Sequence, residues 1–310
     1  MRPLRFVSVL TFVNATTPQA PKTYIGVGQA EGDDTCTCQC AGISLGGLRW
    51  HHVPVSSVDA LCRPDRYPRS SAYDTRWLLD LDMGPHPLWQ LEDLLPDLGL
   101  TPGMRVLDLG SGRGATSVFL ARECGVEVAA CDLWVSATEA QEVFDAAGVA
   151  DRVTAVNADV HDLPFNAEEF DAIISIDGFE YFGTDVYLLP RLLSVLRPGG
   201  PIGMSTPALR VDPYEGPVPE YVSALVGPEA AAWHSPRWWQ RHWELSELLD
   251  KVQARWQVGG RDDWLLWARA NREHQGETPD GVVEMLEQDI DERIGFTLVS
   301  ALKRVGVELS

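Results

Sequence analysis

The sequence predicts a doubly wound α/β fold, with helices covering both faces of a parallel sheet, and three observations predict it. Short runs such as VEVAACD (126–132) and DAIISI (171–176) are apolar without alternation, the mark of strands buried on both faces. Between them lie stretches with helical spacing, and the order strand, helix, strand sets parallel strands side by side. A glycine-rich turn, Gly110-Ser111-Gly112-Arg113-Gly114, joins the first of these strands to the first helix, at the edge where open parallel sheets bind ligands.

Residues 1–68 are rich in Thr, Gly, Pro and Ser and hold no sustained period of 2 or 3.6, so they read as a poorly ordered extension to a domain spanning 69–310. Trp77, Leu78 and Leu81, then Leu88, Leu91, Leu94 and Leu95, predict two lead-in helices separated at Met83-Gly84-Pro85. After the turn Thr101-Pro102-Gly103, strands are expected over 104–109, 126–132, 153–158, 171–176 and 202–206, with helices over 114–123, 136–148 and 185–196. Ser136 with Glu139 forms a capping box that starts the second of these helices, and Pro190 predicts a kink in the third. Residues 207–275 hold seven of the eleven tryptophans and read as a cap. DGVVEMLEQDIDER then suggests an acidic amphipathic helix and IGFTLVSALKR a final strand.

Charge narrows the partners. Residues 1–72 hold 7 basic and 5 acidic side chains, leaving 18 and 40 for the remainder. A body so acidic repels phosphate backbones and anionic lipid, which excludes nucleic acid and membrane surfaces. No run approaches the roughly 20 apolar residues of a membrane span, and the opening MRPLRFVSVLTFV is too short and polar for a signal segment. The six cysteines do not form a disulfide framework, and Cys36, Cys38 and Cys40 lack a fourth ligand, so no metal is expected. These features predict a cytoplasmic protein whose partners are a small-molecule substrate and, as a homodimer, a second copy of itself.

The glycines of Val106-Leu107-Asp108-Leu109-Gly110-Ser111-Gly112-Arg113-Gly114 let the backbone turn sharply and let a ligand lie against bare main chain. With Ala115 the stretch also satisfies G-x-G-x-x-A, so it does not distinguish SAM (S-adenosylmethionine) from a dinucleotide. Asp132 closes the second strand, where a carboxylate holds ribose hydroxyls of either cofactor; the plainer alternative is a helix N-terminal acid. Asn157-Ala158-Asp159-Val160-His161-Asp162-Leu163-Pro164-Phe165 ends the third strand with an acid able to accept an adenine amino proton. Leu196-Arg197-Pro198-Gly199-Gly200 makes a sharp turn into the fifth strand.

Taken in order, DLGSGRG, the acid of ACDLW, ADVHDLPF, FDAIISIDGFEYF and LRPGG resemble class I SAM-dependent methyltransferases, above all the small-molecule branch, over about residues 70–310. SAYDTRWLLD, MGPHPLWQLEDL and WHSPRWWQRHW are similar to a poorly characterised bacterial subgroup. The resemblance implies a seven-stranded, Rossmann-like sheet whose last strand runs antiparallel, with SAM as cofactor. It places Asp108 near the methionine amino group, and Gly110, Gly112 and Gly114 in the cofactor loop with Ser111, where many relatives have Cys. It sets Asp132 on the ribose, Leu133 or Trp134 against the adenine, and Ala158, Asp159 and Val160 along the adenine edge. The aromatic-rich 207–275 segment exceeds the plain fold.

Methyl transfer from a sulfonium is an in-line displacement, so alignment and exclusion of water are the main tasks and no nucleophilic residue is obligatory. If the acceptor is a hydroxyl or a protonated amine, base candidates are Asp177, Glu180, Tyr181, His86 and His234. Asp177 leads, because it follows the fourth strand at the ligand-binding edge, and it counts among the cofactor contacts too. His234 sits among tryptophans, where a packed, hydrogen-bonded ring is the plainer reading. The tryptophans suit either a wall for an aromatic or cationic substrate or, by the helical spacing of Trp238, Trp239 and Trp243, a cap core. Two rivals stand beside this. An NAD-dependent oxidoreductase shares the glycine turn and Asp132 but leaves ADVHDLPF, LRPGG and the terminal strand unexplained, and a non-catalytic SAM-binding module has no sequence feature of its own.

Overall fold

The computed structural model describes residues 57–276 and 281–306, together with the backbone of strands β1 (Phe6–Thr11) and β2 (Thr23–Gly28). Two compact units result, Met1–Ala60 and Leu61–Ser310. In the first, β1 pairs antiparallel with β2 in a stretch whose sequence announced no regular element. Cys36, Cys38 and Cys40 lie outside the described residues.

The second unit begins ahead of the expected boundary at 68. Tyr67 is fully buried, stacks on Trp89 at 5.2 Å and donates its hydroxyl to Asp263 Oδ2 at 2.7 Å. Arg63 and Arg66 pair with the same carboxylate, so this segment is clasped to the domain by one acid. Tyr67→Phe leaves a buried acceptor short of one donor, and we expect a loss of about 1–3 kcal/mol in urea unfolding. A loss within experimental error would show that the arginines alone form the clasp.

Helices α1 (Thr75–Asp80) and α2 (Pro87–Leu94) lead into the sheet. The chain continues as β3 (Arg105–Leu109), α3 (Ala115–Phe119), β4 (Glu127–Asp132), α4 (Ala137–Ala146) and β5 (Val153–Asn157). Next come β6 (Ala172–Ile176), α5 (Phe179–Phe182), α6 (Leu188–Val195) and β7 (Pro201–Leu209). The last third holds α7 (Glu220–Val226), α8 (Pro236–Leu245), β8 (Leu249–Trp256), α9 (Gly260–Gln275), α10 (Val282–Gln288) and β9 (Ile294–Lys303). The seven strands lie in the order β5-β4-β3-β6-β7-β9-β8, parallel from β5 to β7, with β9 antiparallel to both neighbours. The chain winds outward from β3 to β5, then returns to β6 beside β3. That reversal opens a crevice at the carboxyl ends of β3 and β6.

Two expectations change. Residues 207–275 are not all cap: β8 is an edge strand of the main sheet. Exposed and half-buried residues alternate from Lys251 to Trp256, it carries Asp250, Lys251 and Arg255 toward solvent, and a bulge between Asp250 and Gln253 interrupts its ladder. Such features suit an edge, where charge and irregularity block pairing with other chains, and they erase the continuous apolar signal of the inner strands. Pro190 does not kink α6, because it is the third residue of the helix, where its missing N–H removes no helical bond. Trp239 and Trp243 of α8 join the core beneath the sheet with Leu107, Ile173 and Met204, while Trp233 and Trp264 fill a second cluster with Phe296. Most of these tryptophans are therefore packing residues. Among the described residues, no helix is long and apolar enough to cross a membrane.

Candidate active site

The crevice is built by the turn after β3. Gly110, Gly112 and Gly114 have φ of +71°, +53° and +94°, a region that side chains resist. A Cβ on Gly110 would stand 3.2 Å from the Phe182 ring, and one on Gly112 would stand 3.0 Å from Met83 Sδ. Above the turn lies a cavity of about 330 Å³. Gly110, Ser111, Gly112, Asp132, Leu133, Trp134, Ala158, Asp159, Val160, Asp177 and Tyr181 all line it, so the ends of four strands converge as the motif order predicts.

Asp132 ties this ring together. Its Oδ2 accepts the Gly112 N–H at 2.9 Å, and its Oδ1 accepts those of Trp134 and Val135 at 2.8 and 2.9 Å. Asn157 braces the next loop by donating to the carbonyls of Asp132, Leu133 and Val135, each at 3.0 Å. Asp159 accepts the His161 N–H at 2.9 Å and faces His161 Nδ1 at 2.8 Å, while His161 Nε2 lies 3.1 Å from the Phe182 carbonyl. The His161 backbone N–H, then its ring, hold the Asp159 carboxyl below the usual carboxylate range. Trp134 and Tyr181 meet edge to face at 4.8 Å at the rim, both with large exposed surfaces.

At the β6 end, Asp177 adopts the left-handed backbone region (φ +57°) and gives its N–H to Ser205 O at 2.8 Å. Its carboxyl shares a hydrogen bond with Glu180, whose Oε2 also accepts from Thr206 Oγ1 at 2.8 Å. Burial raises both proton affinities, and the negative charge of Glu180 raises that of Asp177 further. Burial likewise pushes Tyr181 well above a phenol's ordinary value, helped by Glu180 and Glu229. Tyr181 is thus a neutral donor rather than a ready base.

Asp108, Gly114, His86, His234 and Glu180 do not line the cavity. Asp108 is buried beneath the turn, where its Oδ2 accepts from Thr116 and Ser117 hydroxyls at 2.6 Å each. Gly114 is a packing glycine, since a Cβ there would clash with the edge of the Phe144 ring. His234 is also absent from the lining, which corrects its candidacy as a base. Its ring is buried, lies 3.2 Å from both Asp212 oxygens and stacks on Trp238 at 3.5 Å. His86 is likewise structural, capping α2 through the Trp89 N–H, with burial holding its ring down to about 3.

Burial lifts the Asp108 carboxyl from 3.8 to about 6. The folded chain then keeps a proton that the unfolded chain releases, so stability falls as pH rises from about 4 to about 6, by on the order of 3 kcal/mol from this group. Asp108→Asn should flatten that part of the profile in urea titrations at successive pH values. Parallel wild-type and variant profiles would contradict the assignment.

Sequence reading missed the lid side of the cavity. Met83, Gly84 and Pro85 line it, although the spacing marked them only as a break between helices. Their loop is held by α9, where Trp267 Nε1 donates to Asp82 Oδ1 at 2.6 Å and to Gly84 O at 2.8 Å, and Asn271 donates to Asp82 Oδ2 at 2.6 Å. His161 and Phe182 were inside quoted motifs without a role, and both line the cavity.

Residues 106–200, which hold the turn, Asp132, Asp159 and Asp177, match the family described as methyltransferase domain. Over that stretch the chain is similar to methyltransferase domains. The domain is similar to the demethylmenaquinone methyltransferase of Clavibacter sepedonicus, 37% identical over 133 residues, which cover 43% of this chain and 52% of the relative. It also resembles methyltransferase GfsG of Streptomyces halstedii, 30% identical over 120 residues, covering 38% and 43%. The chain thus spans about half the length of the curated relatives it matches. Among solved structures, phosphoethanolamine N-methyltransferase 2 of Haemonchus contortus with SAM superposes at a TM-score of 0.62, with 19% identity over 83% of this chain and 62% of that one. Geranyl diphosphate C-methyltransferase of Streptomyces coelicolor A3(2) gives 0.59, with 21% identity over 82% and 88%. At such identities these two show the fold. The seven-stranded sheet with antiparallel β9 is the one the resemblance implied.

Proposed function

We propose that the chain is a SAM-dependent methyltransferase acting on a small molecule, with the cofactor held at the strand ends of β3, β4, β5 and β6. One observation carries this reading. Ser111 Oγ and Asp177 Oδ1 are buried polar atoms without partners, and both belong to residues lining the cavity. Buried polar groups are rarely left unsatisfied, and such a cluster asks for a polar ligand. The residues present fit SAM: bare main chain at Gly110 and Gly112, the Asp132 acceptor for ribose hydroxyls, Leu133 and Val160 as apolar walls, and Ala158-Asp159 along the adenine edge.

When bound, SAM supplies an electrophilic methyl group on a sulfonium sulfur. The chain's own residues then bind and align. Asp132 fixes the glycine turn and accepts hydroxyl protons, and Met83 and Phe182 close over the turn and keep water out. Asp177 stands at the β6 edge, where an acceptor enters opposite the turn. The acidic body supports a cytoplasmic setting, and the expected homodimer belongs to the same proposal, with light scattering as its readout.

Calorimetry with SAM and NAD tests the cofactor assignment. Binding of SAM and of S-adenosylhomocysteine without binding of NAD is the expected result, and tight NAD binding with no SAM signal would overturn it.

A further inference from the structure

Where the cavity reaches α5, the domain gathers carboxyl groups without cations. Asp177 and Glu180 share a hydrogen bond, and Glu229 bonds Tyr181 and lies 3.4 Å from Trp233 Nε1. Among the described residues, no salt bridge from Lys, Arg or His reaches any of the three. The two basic residues on the cavity wall are engaged elsewhere, Arg113 with the Asp80 carbonyl and Glu139, and His161 with Asp159. Burying an acid without a cation is costly, and proteins keep such arrangements where a ligand completes them.

Asp177 provides the second, independent sign. The residue lines the cavity, yet its Oδ1 is sealed from solvent and has no partner. Its backbone is held in the left-handed region, and its Oδ2 occupies the place a Cβ would take on Gly84, so the lid loop is shaped around this carboxyl. At the mouth, the indole of Trp134 and the ring of Tyr181 offer faces of the kind that attract cations.

We propose that the methyl acceptor is a primary or secondary amine, captured as its ammonium ion by Asp177, with Glu180 hydrogen-bonded behind it, and deprotonated by Asp177. This rests on the methyl-transfer reading and names its substrate class. Two carboxyls that share a hydrogen bond hold one proton between them and keep one negative charge, which an ammonium neutralises. The step balances: an ammonium N–H bond breaks and its proton passes to Asp177 Oδ1 while the proton already shared by the pair settles on Glu180, leaving the amine and both acids neutral. The nitrogen lone pair then forms the N–C bond as the C–S bond breaks, and the bonding pair of that C–S bond returns to sulfur. The products are the N-methyl ammonium ion and neutral S-adenosylhomocysteine.

The test is calorimetry on the full chain saturated with S-adenosylhomocysteine, using hexylamine, phenethylamine, tryptamine and their N-methyl derivatives, each against its alcohol isostere. The expected result is that at least one amine binds about tenfold tighter than its alcohol, as a charge-assisted contact to a buried acid implies. That preference should disappear in Asp177→Asn and Glu180→Gln. Asparagine tolerates the left-handed backbone, so Asp177→Asn keeps the turn, and an unchanged thermal midpoint checks this. If S-adenosylhomocysteine binds but no amine outbinds its alcohol, or if the preference survives in both variants, this proposal is overturned alone. If S-adenosylhomocysteine does not bind, the methyl-transfer reading falls and this proposal with it.

Discussion

Gly114→Ala lowers the unfolding free energy by about 2–5 kcal/mol. Two costs combine. A side chain held at φ +94° is strained by about 1–2 kcal/mol, and forcing a methyl group into a filled core costs about 1–3 kcal/mol more. The obstacle is the ring of Phe144, which is fully buried on α4. Gly148 supplies the control. It too has positive φ, +67°, but nothing lies within 4 Å of a Cβ placed there. Gly148→Ala should therefore show the backbone cost alone, about 1–2 kcal/mol. Urea unfolding of both variants separates the two contributions, and equal losses would show that Phe144 packing contributes nothing.

Asp132→Ala weakens S-adenosylhomocysteine binding by about 1–3 kcal/mol, roughly 5- to 150-fold, the range for removing a partner from buried polar groups. The carboxylate acts twice. It offers the acceptor that a ribose needs, and it holds the Gly112 N–H, so its removal also loosens the turn the cofactor lies on. Asp132→Asn separates these roles, since its side-chain oxygen still accepts from Trp134 and Val135 while the bond from Gly112 is lost. An intermediate affinity for the Asn variant is expected. Unchanged affinity in the Ala variant would show that the cofactor does not use this carboxylate.

The parallel core was legible because burial on both faces removes alternation: β3, β4, β6 and β7 read as apolar runs and fall within a residue or so of their expected starts. The strand-end features, Gly110 to Gly112, Asp132, Asp159 and Asp177, were legible for a related reason, since their chemistry is local to each turn. β8 was not, because an edge strand with Asp250, Lys251 and Arg255 looks like a solvated segment until β9 is seen beside it. The burial of Glu180 depends on Thr206, across the sheet edge on another strand, and no spacing within FDAIISIDGFEYF reports it. His234 and Gly114 show the opposite error. Their residue types suggested chemistry, whereas Asp212 and Phe144, distant in sequence, make them packing positions. The lid loop escaped notice because Met83-Gly84-Pro85 signals only a helix break, and its place over Gly112 comes from α9 gripping Asp82.

A crystal structure of the chain with S-adenosylhomocysteine bound tests the central claim most directly. The account predicts the adenosine between the Gly110 turn, Asp132 and Asp159, with its ribose hydroxyls on the Asp132 carboxylate and the sulfur facing the Asp177 side of the cavity. A nucleoside bound anywhere else, or Asp132 and Asp159 both out of contact with it, would contradict the account.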